Sequence, residues 1–176
     1  MAKASDLIRL ARLELGVAED PPGSNHVKYN NAYYSQDISG SAYAWCLVFI
    51  WWLFRQAGAS DLFYDGKKTA YVPTFDQWAR QAGLTVALEE ARPGDIIVYD
   101  WNGNKQGQHV GICTGAAEAT VTTIEGNCDD AVREMTRQRS YVLRVVRPKY
   151  DKETVSSCDP ATCPILAKLR QIIEEV

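Results

Sequence analysis

The sequence lacks the features that usually identify a membrane protein or a nucleic-acid-binding protein. Its longest apolar run, residues 42–54, has thirteen residues, whereas a helix that crosses a bilayer needs about 18–20. Nineteen basic and 22 acidic side chains leave a net charge of −3, which creates no overall field to attract a nucleic-acid backbone. We therefore expect neither membrane insertion nor nucleic-acid binding.

Cysteine and histidine are also scarce. The five cysteines are an odd number at irregular spacing, which is typical neither of a disulfide framework nor of a set of four zinc ligands. The N-terminus alternates charged residues with its leucines, unlike the apolar core of a signal peptide. We therefore expect a protein made in the cytoplasm without a signal peptide, and without a cofactor.

Helical patterns come first along the chain. Residues 4–16 and 74–81 have apolar residues at helical spacing, and the apolar run at 42–54 is predicted to form a helix that ends at Gly58. The segment 18–41, rich in Pro, Gly, Ser, Asn and Tyr, is predicted to be a long ordered loop. These patterns predict three helices in the first half of the chain.

Strand patterns follow the helices. Short runs with β-branched residues lie at 94–99, 109–114, 119–125 and 141–148. Because the links between them are too short for crossover helices, the sheet should be antiparallel. We expect one α+β domain over residues 1–150, with N-terminal helices packed on an antiparallel β-sheet. Residues 151–176, with Cys158 and Cys163, are predicted to be a linker that leads to a further module or a tail that follows the domain.

Cys46 and His109 are a candidate catalytic pair. On the first turn of a helix, the positive end of the helix dipole favours a thiolate, and a nearby imidazolium favours it further. The alternation in HVGIC places His109 on the face of its strand that carries Gly111 and Cys113. We expect the imidazole to contact Cys46, although a buried cysteine that only fills the core is the alternative.

Such a pair needs a third polar group that holds the imidazole by its other nitrogen. Glu125, followed by Asn127, lies at the end of the next strand pattern along the chain. Both residues could instead serve only the turn at Gly126. His26 has no acidic or nucleophilic neighbour in sequence and is predicted to be an ordinary surface histidine.

Three segments in this order, AWCLVFIWWLFRQAG, RPGDIIVYDWNGNKQGQHVGI and TIEGN, resemble the signature blocks of CHAP domains. These are the cysteine, histidine-dependent amidohydrolases/peptidases of the papain-like NlpC/P60 clan. The resemblance implies a papain-like fold and hydrolysis of an amide bond in peptidoglycan at the bacterial cell wall, by an N-acetylmuramoyl-L-alanine amidase or an endopeptidase. The segment GSNHVKYN resembles CHAP domains of phage and prophage endolysins of Gram-positive hosts.

Two other functions fit the same resemblance. One is a bacterial NlpC/P60-type hydrolase used in wall remodelling or conjugation, with the same chemistry. The other is a non-catalytic module that binds the cell wall. Peptidoglycan is the expected partner in all three cases, and the sequence leaves the oligomeric state open.

The resemblance also implies a role for each candidate residue. Cys46 would attack the carbonyl, and His109 would take the thiol proton and later protonate the leaving amine. Glu125 would orient His109, and Asn127 would be a nearby polar partner. The oxyanion would lie against the backbone N–H of Cys46, with Tyr43 or Trp45 as a second donor.

Four aromatic residues near these segments are expected to line a groove for the substrate: Tyr43, Trp45, Tyr99 and Trp101. Trp45 could instead seal the core. Some CHAP domains bind calcium through an aspartate-rich loop before the cysteine, but that stretch contains only Asp37 here. The segment DWNGNKQGQ also carries a single carboxylate, Asp100, so ordinary polar turns are expected at both places and no metal is predicted.

Overall fold

A computed structural model describes residues 2–151 of the chain. The predicted linker or tail, with Cys158 and Cys163, lies outside the described residues apart from Asp151. The α-helices are α1 Ala4–Leu13, α2 Lys28–Tyr34, α3 Cys46–Gln56 and α4 Val72–Gln81. The strands are β1 Thr85–Val86, β2 Ile96–Tyr99, β3 His109–Ala116, β4 Thr120–Cys128, β5 Ala131–Gln138 and β6 Val142–Val146.

The six strands form one sheet in the order β1-β6-β2-β3-β4-β5, and each pairing is antiparallel. Short links explain this arrangement. Asp129 and Asp130 alone join β4 to β5, with φ angles of 47° and 61°, and positive φ at both positions is typical of a type I′ hairpin turn. The predicted α+β class, with helices before an antiparallel sheet, is confirmed.

The apolar run at residues 42–54 supplies the central helix of the core. Eight of the eleven residues of α3 are buried, as expected for a helix that is apolar on all sides. Gly58, with a φ of 64°, follows its end. Among the described residues, no helix combines the length and apolar character that a bilayer crossing needs.

The sheet has two differently covered faces. Val110 and Ile112 of β3 pack with α3 in the main core. Cys113 packs in a smaller cluster with Ile97 and Tyr99 on β2. This division confirms the predicted alternation along β3, in which His109 and Cys113 lie on the opposite face of the strand from Val110 and Ile112.

The structure corrects the prediction in three places. The segment predicted as a long loop contains α2, which buries Tyr29 and Asn30. Helix α4 begins at Val72, so Pro73 lies in its first turn, where the missing N–H breaks no helical hydrogen bond. Strand β5 was not predicted, because an exposed edge strand shows little apolar alternation and most of β5 is polar.

Gly126 sets the distance between α3 and the sheet. A Cβ atom at this position would lie 2.6 Å from the Cβ of Phe49 and 2.8 Å from Cζ3 of Trp45. Any side chain there would force the helix away from β4. The close approach of α3 therefore depends on a missing side chain.

We expect Gly126→Ala to lower the free energy of unfolding by about 1–3 kcal/mol, because the added methyl group overpacks this contact. Gly115→Ala on β3 is the matched control, since the nearest atom to its added Cβ lies 4.0 Å away. Urea denaturation of both variants measures the difference. Equal stability of the two variants would contradict this account of the contact.

Candidate active site

Cys46 is the first residue of α3, and it follows Trp45, whose φ and ψ of −121° and 16° are not helical. Only 7% of Cys46 is exposed. At this position the sulfur lies at the positive end of the helix dipole. The backbone N–H groups of the first turn also have no partner inside the helix, so they are suited to bind an anion.

His109, the first residue of β3, connects Cys46 to Glu125. Its Nε2 atom lies 2.9 Å from Oε2 of Glu125, and its side chain is 12% exposed. Cys46 lies close enough to interact with the imidazole and to raise the pKa of His109. Because Nε2 is engaged by Glu125, Nδ1 is the nitrogen that remains for the thiol. The structure thus brings the predicted pair and the predicted third group together.

The charge state of His109 follows from these contacts. Burial lowers its pKa. The interactions with Cys46 and Glu125 have the opposite and larger effect, so the pKa of His109 is raised from 6.5 to about 9. The imidazolium is therefore the favoured form at neutral pH.

Glu125 is fully buried on β4 and accepts hydrogen bonds at both carboxylate oxygens. Thr123 Oγ1 donates to Oε1 at 2.7 Å. Arg137 donates from Nε to Oε1 at 3.1 Å and from Nη2 to Oε2 at 2.7 Å. Burial raises the pKa of Glu125, but His109 and Arg137 lower it to about 2. The carboxylate is therefore ionised at neutral pH.

Gly111 makes room for the Glu125 side chain. A Cβ at residue 111 would lie 2.8 Å from Cγ of Glu125 and 2.8 Å from Cβ of Thr123. Tyr99 supports the same cluster from β2, with its hydroxyl 2.8 Å from Oγ1 of Thr123. Neighbouring strands therefore fix the carboxylate from several sides.

Arg137 is the charged residue of this cluster that the sequence did not predict. It lies on β5, where its Cα is paired with that of Val121 on β4. The available signal was the Asp129–Asp130 pair, which is suited to a two-residue hairpin. A hairpin centred there would have predicted β5 and placed its side chains beside those of β4.

Asn127 occupies an irregular part of β4, where the pairing with β5 shifts register between Glu125 and Cys128. Its backbone φ is 56°, a conformation that asparagine tolerates better than most residues. Its side-chain amide donates to Oδ1 of Asn25 at 3.2 Å. In the described structure this amide therefore links β4 to the N-terminal segment, while Glu125 is the group bonded to His109.

Two of the four aromatic residues predicted to line the substrate groove are core residues. Trp45 and Tyr99 are both 0% exposed. Trp45 donates its indole N–H to Oε1 of Glu19 at 2.8 Å, and the Tyr99 hydroxyl is bonded to Thr123. For Trp45 the structure supports the alternative, a residue that seals the core. For Tyr99 the prediction is corrected, because its side chain is not exposed to a substrate.

Trp101 and Tyr43 do reach the surface. Trp101 is 38% exposed, stacks on Tyr99 with ring centroids 4.9 Å apart and lies 5.9 Å from the ring of His109. Trp101 and Tyr141 also border a cleft of about 290 Å³. Tyr43, which is half-buried, contacts the ring of Tyr34 at 5.1 Å. Trp101 thus forms a partly exposed aromatic wall beside the candidate catalytic pair.

The aspartates weighed as calcium ligands have other partners. Oδ1 of Asp100 accepts the backbone N–H groups of Asn102 and Gly103, and Oδ2 accepts that of Lys105. Asp37 lies 2.7 Å from Nε2 of His26. Within residues 2–151 no group of three or more His, Cys, Asp or Glu side chains could hold a metal ion. The described residues therefore do not fit the calcium site known in some CHAP domains.

Similarity to known proteins identifies the family of the chain. No curated protein matches the chain. Among solved structures, the wild-type endolysin LysIME-EF1 is similar over 86% of this chain and 67% of that chain, with 14% sequence identity and a TM-score of 0.46. The family model described as CHAP domain matches residues 38–127, which is more than half of the sequence and includes Cys46, His109 and Glu125. The chain belongs to the CHAP domain family.

Proposed function

We propose that this CHAP domain hydrolyses an amide bond in the peptide part of peptidoglycan, as an N-acetylmuramoyl-L-alanine amidase or an endopeptidase. Membership of the CHAP domain family supports the hydrolysis of peptidoglycan. The observation that carries the proposal is the position of His109, which is hydrogen-bonded to the buried Glu125 carboxylate and interacts with Cys46. This arrangement is that of a nucleophile, its base and an orienting group.

The contacts suggest a role for each group. Cys46 attacks the carbonyl carbon after its thiol proton has passed to His109. His109 then gives this proton to the leaving amine as the tetrahedral intermediate collapses to a thioester, and water releases the acyl group from Cys46. Glu125 stays ionised and keeps Nδ1 of the imidazole directed at the sulfur.

The helix N-terminus supplies a place for the negative oxygen of the intermediate. The backbone N–H of Cys46 belongs to the first turn of α3, where amide groups are unpaired within the helix and the dipole favours an anion. We assign the oxyanion to this N–H. Asn127 is proposed to have a structural role and not a catalytic one, since its side-chain amide donates a hydrogen bond to Asn25.

Trp101 is proposed to contact the substrate beside His109. Its exposed ring and the adjacent cleft with Tyr141 offer an apolar wall, which suits a glycan-peptide strand. We further propose that the protein is a phage or prophage endolysin that acts at the bacterial cell wall. This last assignment depends on the resemblance of GSNHVKYN to CHAP domains of phage and prophage endolysins.

We expect Cys46→Ala to lower the rate of amine release from purified Gram-positive sacculi by about 10⁴- to 10⁶-fold, because the nucleophile is lost. Cys113→Ala is the matched control, since Cys113 lies in the smaller cluster across the sheet, and it should keep most of the activity. Sedimentation with sacculi measures binding in parallel. A wild-type protein that binds sacculi without releasing amines would be a binding module and not a hydrolase.

Digestion should create new amino groups and no new reducing sugar ends, because the proposed reaction breaks amide bonds only. Mass spectrometry of the soluble products identifies the bond: a free L-Ala N-terminus indicates the amidase, and a new N-terminus within the stem peptide or cross-bridge indicates the endopeptidase. Reducing ends without new amines would contradict the proposal.

Activity should fall as the pH rises through about 9, because the contacts of His109 raise its pKa to about 9. Above this pH His109 loses the proton that it must give to the leaving amine. Since the folded pKa is raised above 6.5, the contribution of His109 to folding stability should also be lost over this range. The rate of amine release and the thermal unfolding of the protein, both measured from pH 6 to 10, test these two expectations. An alkaline limb near the ordinary histidine pKa would contradict the proposed contacts.

A further inference from the structure

Arg137 provides a permanent positive charge beside the buried carboxylate of Glu125. Glu125 is 0% exposed, so the charge of its side chain must be balanced by groups of the protein. Thr123 is a neutral donor, and His109 is positive only while it is protonated. Arg137 keeps its charge at every pH of interest and binds both carboxylate oxygens at 3.1 and 2.7 Å.

The guanidinium is itself held in place. Its Nη2 atom also lies 3.4 Å from Sγ of Cys128, and its carbon lies 5.1 Å from the ring centroid of Trp101. The same Trp101 ring lies 5.9 Å from that of His109. Arg137 therefore contacts both the carboxylate that holds His109 and the aromatic ring beside it.

The arrangement has an electrostatic consequence for His109. Titratable and charged groups reach it from four elements: Cys46 on α3, Tyr99 on β2, Glu125 on β4 and, through Glu125, Arg137 on β5. An unshared carboxylate would stabilise the imidazolium so strongly that proton transfer to the leaving amine would become unfavourable. A fixed cation on the far side of that carboxylate weakens this effect.

We propose that Arg137 is a positioning residue for the reaction: it fixes the Glu125 carboxylate against His109 and shares its negative charge, so that the imidazole can release its proton as well as hold it. The inference rests on the proposed function. Planar, bidentate binding by arginine suits this role, because lysine cannot reproduce both hydrogen bonds.

The test compares three variants of the full chain: Arg137→Gln, which removes the charge, Arg137→Lys, which keeps the charge but not the fork, and Arg133→Gln as control. Arg133 lies on the same strand and bonds to the carbonyl of Cys128. The chain has two histidines, so the ring signals in ¹H–¹³C NMR spectra give the pKa of His109, with His26 as an internal reference. Release of amines from sacculi gives the rate.

In Arg137→Gln the measured pKa of His109 should rise above the wild-type value while that of His26 stays unchanged. Its amine-release rate should fall by about 10- to 100-fold, because the carboxylate is also less well fixed. Arg137→Lys should keep the wild-type pKa of His109 and lose about tenfold in rate. Arg133→Gln should match the wild type in both measurements.

An unchanged or lowered His109 pKa in Arg137→Gln would overturn the proposal, even if rate and melting temperature fell, since a purely structural role would give that result. If Arg137→Gln does not fold, Arg137→Lys decides: a wild-type rate would overturn the proposal and the tenfold loss would support it. The titration needs no substrate. A wild-type protein without muralytic activity would therefore refute the proposed function, while the titration would still report whether Arg137 acts on His109.

Discussion

The packing of α3 against β3 and β4 is the constraint on which the rest of the structure depends. The helix is apolar on nearly every side and buried along its length, so its position is determined by close packing and not by a single amphipathic face. Gly126 lets the helix approach the sheet closely. Since Cys46 is the first residue of this helix, the same packing fixes the sulfur opposite the first residue of β3.

A second constraint is the cost of burying a charge. The Glu125 carboxylate is removed from solvent, and such a group is stable only when hydrogen bonds and opposite charges replace the water. Its partners are Thr123 on the same strand, β4, and His109 and Arg137 on the two neighbouring strands, β3 and β5. The candidate site is thus assembled from segments far apart in sequence and exists only when the sheet is complete.

The sequence predicted the parts of this arrangement that have a local signal. The apolar run predicted α3, and the alternation around His109 correctly assigned the two faces of β3. The sequence left the burial of Trp45 open and did not predict that of Tyr99, because aromatic residues occur both in cores and at grooves. Strand β5 lacks apolar alternation, so Arg137 was missed together with it. Helix α2 was missed because its stabilising contacts are tertiary, such as that of Tyr29 with Trp45.

The segment before α2 ties distant parts of the domain together. Glu19, only 4% exposed, accepts the indole N–H of Trp45 and the backbone N–H of Asn25. The Asn25 side chain in turn accepts the amide of Asn127, and Gly16 and Val17 are hydrogen-bonded to Val132 on β5. One short stretch therefore clamps the start of α3 to the hairpin of β4 and β5.

This clamp sets the boundaries of the unit that could be moved between proteins. The family match covers residues 38–127, yet Glu19 and Asn25 precede it and β5 follows it. A graft cut at the ends of the match would retain Cys46, His109 and Glu125. It would also separate the buried indole of Trp45 from Glu19 and the carboxylate of Glu125 from Arg137, so a transferable module has to include the flanking segments.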